Sequence, residues 1–196
     1  MNFELDAMAM EMPDVVGHPN RLPFQGVLTL VGVASQRSPS GARGHRVMLT
    51  RSATEAALPS LLGMALDYAP ALDGHDARRK IGIITAADIV GMPQSKTATA
   101  TGQIAVSGYL FARDFPEIVD EIRSQSGSRL GMSYEIANAT VPNQEALIWT
   151  VTQFTFTGAA VLRRDKAAYP QTWIAVAASN EQQAPGVAGP SRLAAC

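Results

Sequence analysis

Ser133, Glu135 and His75 are the residues of this chain whose types and surroundings could do hydrolytic chemistry. The first two lie in Arg129-Leu130-Gly131-Met132-Ser133-Tyr134-Glu135-Ile136, where Leu130, Met132, Tyr134 and Ile136 alternate with Gly131, Ser133, Glu135 and Ala137. That alternation predicts a strand, and side chains two apart on a strand point the same way, so Ser133 and Glu135 share a face. Gly131 on that face lets another group approach the backbone closely. A serine so placed is either a small sheet residue or a nucleophile. A nucleophile needs a base, and histidine serves best near neutral pH. His18 lies in a proline- and glycine-broken arm and His45 follows a loop of Ser, Pro, Gly and Arg. His75 sits in Asp73-Gly74-His75-Asp76, just ahead of an apolar strand. Taken singly, His75 reads first as a surface loop histidine and Glu135 as a solvent-facing sheet carboxylate.

Composition narrows the classes. The chain has 196 residues, 46% hydrophobic and 17% charged, enough for one domain with a sizeable core plus tails. A net charge of -1 gives no electrostatic case for nucleic acid or an anionic membrane. No apolar run reaches the roughly 20 residues of a membrane span, and the acidic, methionine-rich start lacks the pattern of a secretory signal. The one cysteine, Cys196, excludes an internal disulfide and a cysteine metal cluster, and fits a reducing cytosol. The three histidines lack zinc-site spacing, so no metal and no cofactor are expected.

The elements that must position these residues follow from pattern and punctuation. Residues 1–23 read as an extended arm broken by Pro13, Gly17, Pro19 and Pro23. A buried strand is expected over 25–35, a surface loop that covers a site or tolerates change over 36–44, and a short strand over 45–50. Ser52 and Glu55 form a capping-box pattern ahead of a helix that Pro59 should kink or break. Strands are expected over 81–89, with Ile81, Ile83 and Ile84 as the inward candidates, and over 103–112. Turns join them over 91–99. Asp114 and Glu117 suggest a second capping box, on a helix over 115–125 that Gly127 would stop. After the serine strand, 138–145 reads as a hairpin loop, 147–157 as one long β run and 172–177 as a last strand. Residues 179–196 read as a flexible tail. At least six strands with two helices interposed predict an α+β domain, a mainly antiparallel β-barrel or sheet over 24–178.

The succession of Gly74-His75-Asp76, Ile81-Gly82, Ser107-Gly108-Tyr109-Leu110-Phe111-Ala112-Arg113-Asp114-Phe115-Pro116-Glu117 and Leu130-Gly131-Met132-Ser133-Tyr134-Glu135 resembles the prohead (capsid maturation) proteases of tailed phages. Those are similar in fold to the herpesvirus assemblins. The resemblance covers roughly residues 25–177. It implies a herpesvirus-protease-like fold, Ser133 as nucleophile and His75 as general base. For the third position, relatives place an acid in the strand after the serine strand or use a second histidine, and 147–162 contains neither. Glu135 is the preferred substitute because it shares a face with Ser133; Asp76, Gln153 or a threonine are the others. The resemblance further implies a serine endopeptidase acting in the host cytoplasm, inside the immature capsid. It would cleave scaffolding protein, major capsid protein and itself, with a possible homo-oligomer. The alternative is a catalytically inactive capsid-assembly or scaffold-binding module of the same fold.

Overall fold

The structure is a computed structural model that describes residues 8–9, 11, 13, 15, 17–91, 101–125 and 129–176. Its framework is one eight-stranded sheet. Strand β1 spans Met8–Ala9, β2 Leu22–Val31, β3 Arg46–Leu49, β4 Ala65–Asp67, β5 Lys80–Val90 and β6 Gly102–Leu110. They are followed by β7 Leu130–Thr140, β8 Ile148–Val151, β9 Gln153–Arg163 and β10 Trp173–Val176. The order across the sheet is β10-β2-β6-β5-β4-β9-β7, and β1 adds to β5 through Met8 opposite Ala87. Long strands rich in Val, Ile, Thr and Phe favour this pleated arrangement, because branched and aromatic side chains pack well on a half-buried sheet surface.

The sheet curls until its two ends meet. Gly26 of β2 and Met132 of β7 show how closely: a Cβ on Gly26 would stand 2.8 Å from Met132 Sδ and 2.4 Å from the Trp173 carbonyl of β10. The core inside the curl holds Leu28, Leu66, Ile84, Ile104, Leu110, Met132 and Phe156, all essentially sealed from solvent. Helix α1, Arg51–Ala57, packs against β9, and α2, Pro116–Ser124, buries Ile118, Val119 and Ile122. The α+β, antiparallel-rich expectation therefore holds. Two pairings, β3 with β8 and β4 with β9, are parallel, and β3 and β8 form a separate two-stranded sheet.

Several boundaries differ from the sequence reading, each for a local reason. The first long strand starts at Leu22 and accommodates Pro23, and part of the arm before it pairs through β1 instead of staying irregular. Helix α1 begins two residues early, with its N-cap at Thr50. Thr50, not Ser52, accepts the Ala53 amide at 3.3 Å, and Glu55 takes Arg51 Nε at 2.7 Å. Pro59 ends the α-helix as expected, in a 3₁₀ turn over Leu58–Leu61. Asp114 does not cap α2: it accepts from Asn20 Nδ2 at 2.8 Å, and Glu117 accepts from the Tyr68 hydroxyl at 2.6 Å. Of the inward candidates in β5, Ile81 and Ile84 are buried and Ile83 is half-buried, with a bulge following Ile84. The 147–157 run splits at Thr152, whose amide bonds the Thr140 carbonyl at 3.0 Å. Strand β7 itself runs past Asn138 into the expected hairpin loop. The 92–99 turns, Gly127 and the 179–196 tail lie outside the described residues.

Candidate active site

Three adjacent strands, β4, β9 and β7, carry the site in one row. Asp67 pairs with Ala160, and Ala160 pairs with Ser133 on its other side. Residues directly opposite on paired strands face the same way, so Asp67, Ala160 and Ser133 share one face. Leu66, Ala159 and Met132 occupy the other face and belong to the core. Two strand spacings, roughly 9.6 Å, separate the Asp67 and Ser133 backbones. Ala160 between them is small enough to leave that span open. One step along, Glu135 pairs with Gly158, and the missing side chain there makes room for its carboxylate: a Cβ on Gly158 would be 2.7 Å from Glu135 Oε2.

The loop after β4 brings His75 over this row. Leu72, at a φ of +52°, turns the chain, its amide bonding the Ala69 carbonyl at 2.8 Å. The Arg163 amide of β9 bonds the Leu72 carbonyl at 2.7 Å and pins the loop to the sheet. Asp76 fixes the far side: its Oδ1 accepts the Arg78 amide at 3.0 Å and Arg78 Nε at 3.2 Å. These bonds, the backbone one first, hold its carboxyl below the usual range. His75 Nδ1 then lies 3.2 Å from Glu135 Oε1 and 3.5 Å from Asp67 Oδ1. Both contacts are close, yet neither is aligned as a hydrogen bond. Asp67 is 0% exposed, and Lys80 Nζ holds its other oxygen, Oδ2, at 2.9 Å.

His75, Ser133 and Glu135 line one wall of a cleft of about 1070 Å³. Val47, Trp149 and Val151 from the small β3–β8 sheet line another, and residues 37–43, the loop read as a possible cover, complete the lining. All three predicted site residues therefore meet in one place. Among the hydrogen bonds of the described residues, none joins Ser133 to His75. His45 is engaged elsewhere, stacked on Trp149 at 4.5 Å with Nδ1 2.9 Å from the Ala146 carbonyl. Gln153 lies at the start of β9, lining a separate pocket beside Ser52. Asp76 serves its own turn. Sequence reasoning missed Asp67, since its place beside His75 depends on the parallel β4–β9 pairing. Its one local signal was a carboxylate between apolar residues, in Ala65-Leu66-Asp67-Tyr68.

The approach that Gly131 permits comes from within the protein. Thr172 Oγ1 accepts the Met132 amide at 3.1 Å and donates to the Tyr169 carbonyl at 2.9 Å. A Cβ on Gly131 would stand 2.6 Å from that oxygen. Among the described residues no helix is long and apolar enough to cross a membrane. Comparisons with protein-family models, with curated proteins and with solved structures found no match to this chain.

Proposed function

We propose that this chain is a serine endopeptidase of the phage prohead type, with a herpesvirus-protease-like fold, that processes scaffolding and major capsid proteins inside the immature capsid. The observation that carries the reading is the row on one sheet face. Ser133 and a fully buried Asp67 flank Ala160 there, with His75 held over the row between Asp67 and Glu135. The curled, antiparallel-rich sheet supports the fold part of the reading.

Mechanistically, the carboxylates gather at His75 Nδ1, which leaves Nε2 for the nucleophile. Ser133 Oγ attacks the scissile carbonyl, and His75 takes its proton and later passes it to the leaving amine. Asp67 and Glu135 stabilise the imidazolium that forms between these steps. Catalytic hydrogen bonds are often long before substrate closes the site, so the missing Ser133–His75 bond is compatible with this sequence of steps. That same missing bond favours the second reading, an inactive capsid-assembly or scaffold-binding module.

The test is processing of co-expressed capsid and scaffolding proteins, with labelling by a serine-directed fluorophosphonate. Ser133→Ala should lower processing by about 10³-fold or more and remove the label, at an unchanged melting temperature. Processing and labelling unaffected by that substitution would sink the peptidase reading.

A further inference from the structure

The geometry points to a second capacity of the Asp67–His75–Glu135 cluster: binding a divalent zinc-class cation with imidazole and carboxylate donors. Three segments supply the donors: β4, the loop that follows it and, distant in sequence, β7. Their ligand atoms lie within 4.8 Å of one another. Zinc sits about 2.0–2.2 Å from nitrogen and oxygen ligands, and at tetrahedral angles such ligands stand roughly 3.3–3.5 Å apart. The observed separations about His75 Nδ1, 3.2 Å to Glu135 Oε1 and 3.5 Å to Asp67 Oδ1, match those edges.

Alignment separates this arrangement from an ordinary hydrogen-bonded triad. His75 Nδ1 and Asp67 Oδ1 are both buried atoms without a hydrogen-bond partner. Buried polar atoms are rarely left so. Asp67 is fully sealed from solvent, and its Oδ1 is aimed into the cluster while Oδ2 is occupied by Lys80 Nζ. A cation at the centre would satisfy Oδ1, Nδ1 and Oε1 together. Lys80 then plays the part of an outer partner, fixing the carboxylate as a one-oxygen ligand. The cleft beside the cluster offers a fourth position to water. One cation added to two carboxylates and one ammonium leaves a local charge of +1, which a hydroxide or a substrate carboxylate would balance.

The ion and a proton exclude one another at Nδ1. On the peptidase reading, on which this consequence alone rests, zinc would therefore inhibit processing by occupying the base and both orienting carboxylates.

Binding is tested apart from catalysis, by titrating Zn²⁺ into the full-length Ser133→Ala chain in a calorimeter. Co²⁺ visible absorption would report tetrahedral coordination. The expected result is one ion per chain. Affinity should fall about tenfold or more when His75→Ala or Glu135→Gln is added. Glu135 is partly exposed, so its substitution leaves a folded protein should the His75 variant fail to fold. No binding, or binding equally tight with Glu135→Gln and with folded His75→Ala, overturns the site, whatever the fate of the peptidase reading.

Discussion

Two carboxylates share one imidazole nitrogen in this cleft, and they differ in what their removal would cost. Asp67 is sealed and anchored by Lys80, whereas the Glu135 side chain is about a third exposed and rests over Gly158. On the peptidase reading Asp67 is the stronger orienter, because its charge acts in a drier, fixed setting. Asp67→Asn is expected to lower kcat/KM by about 10³–10⁴-fold, and Glu135→Gln by about tenfold; steady-state kinetics on a capsid-derived peptide would read both. The opposite ranking would make Glu135 the orienter. Gly158→Ala offers a control that leaves both acids in place. Its new Cβ meets only the tip of a flexible carboxylate, so stability should hold while activity falls as in Glu135→Gln, and combining the two should add little. Alternation made the shared face of Ser133 and Glu135 legible, while the roles proposed for Ser133 and His75 came only with the family resemblance. Asp67 was not legible, since its chemistry depends on a strand register that no short window contains.

At the scale of elements, backbone spacing decides more than pattern. A Cβ on Gly108 of β6 would stand 2.0 Å from the Ile83 carbonyl of β5, whereas one on Gly74 meets nothing within 4 Å. Gly108→Ala should therefore cost about 3 kcal/mol in urea unfolding, and Gly74→Ala about 0.5 kcal/mol at most. Helix α2 carries a pH signature. The Tyr68 hydroxyl, donating to Glu117, holds that carboxyl below its usual range. A carboxyl depressed in the folded state stabilises above its unfolded value, about 4.3, and loses that contribution as pH falls through the folded one. Wild type and Glu117→Gln should therefore differ in urea midpoint at pH 6 and converge once pH has fallen through the folded value. The capping-box pattern did locate both helices. It misassigned their first turns because Glu55 pairs along its own helix with Arg51, while Asp114 and Glu117 find partners in other segments, Asn20 and Tyr68. The long β run over 147–157 hid its break for a related reason: Thr152 suits a strand but bonds Thr140 across the hairpin.

Across the whole molecule the sheet closes around apolar residues, and two tyrosine hydroxyls are buried beside it. Burial, first of all, pushes the hydroxyls of Tyr134 and Tyr169 far above their ordinary value near 10. The folded state thus keeps protons that the unfolded chain gives up, so stability is complete below about pH 10 and declines as pH rises beyond it. A urea midpoint that falls between pH 9 and 11, and falls less steeply in Tyr134→Phe, is the expected outcome. Fold class was legible because alternation and Val, Ile and Thr content mark strands. The curl was not, since it is set by which strands meet, as where Gly26 admits Met132. The Thr172 hydroxyl between β7 and the closing turn has a kinetic consequence. The Met132 amide, one residue from the proposed nucleophile, is tied to Thr172 rather than to β9, so its deuterium exchange clocks the undocking of the last strand. Each local opening of β10 would expose that amide to solvent while the β7–β9 ladder remains zipped. The serine strand would then fray from its outer edge at a rate set by the far end of the chain.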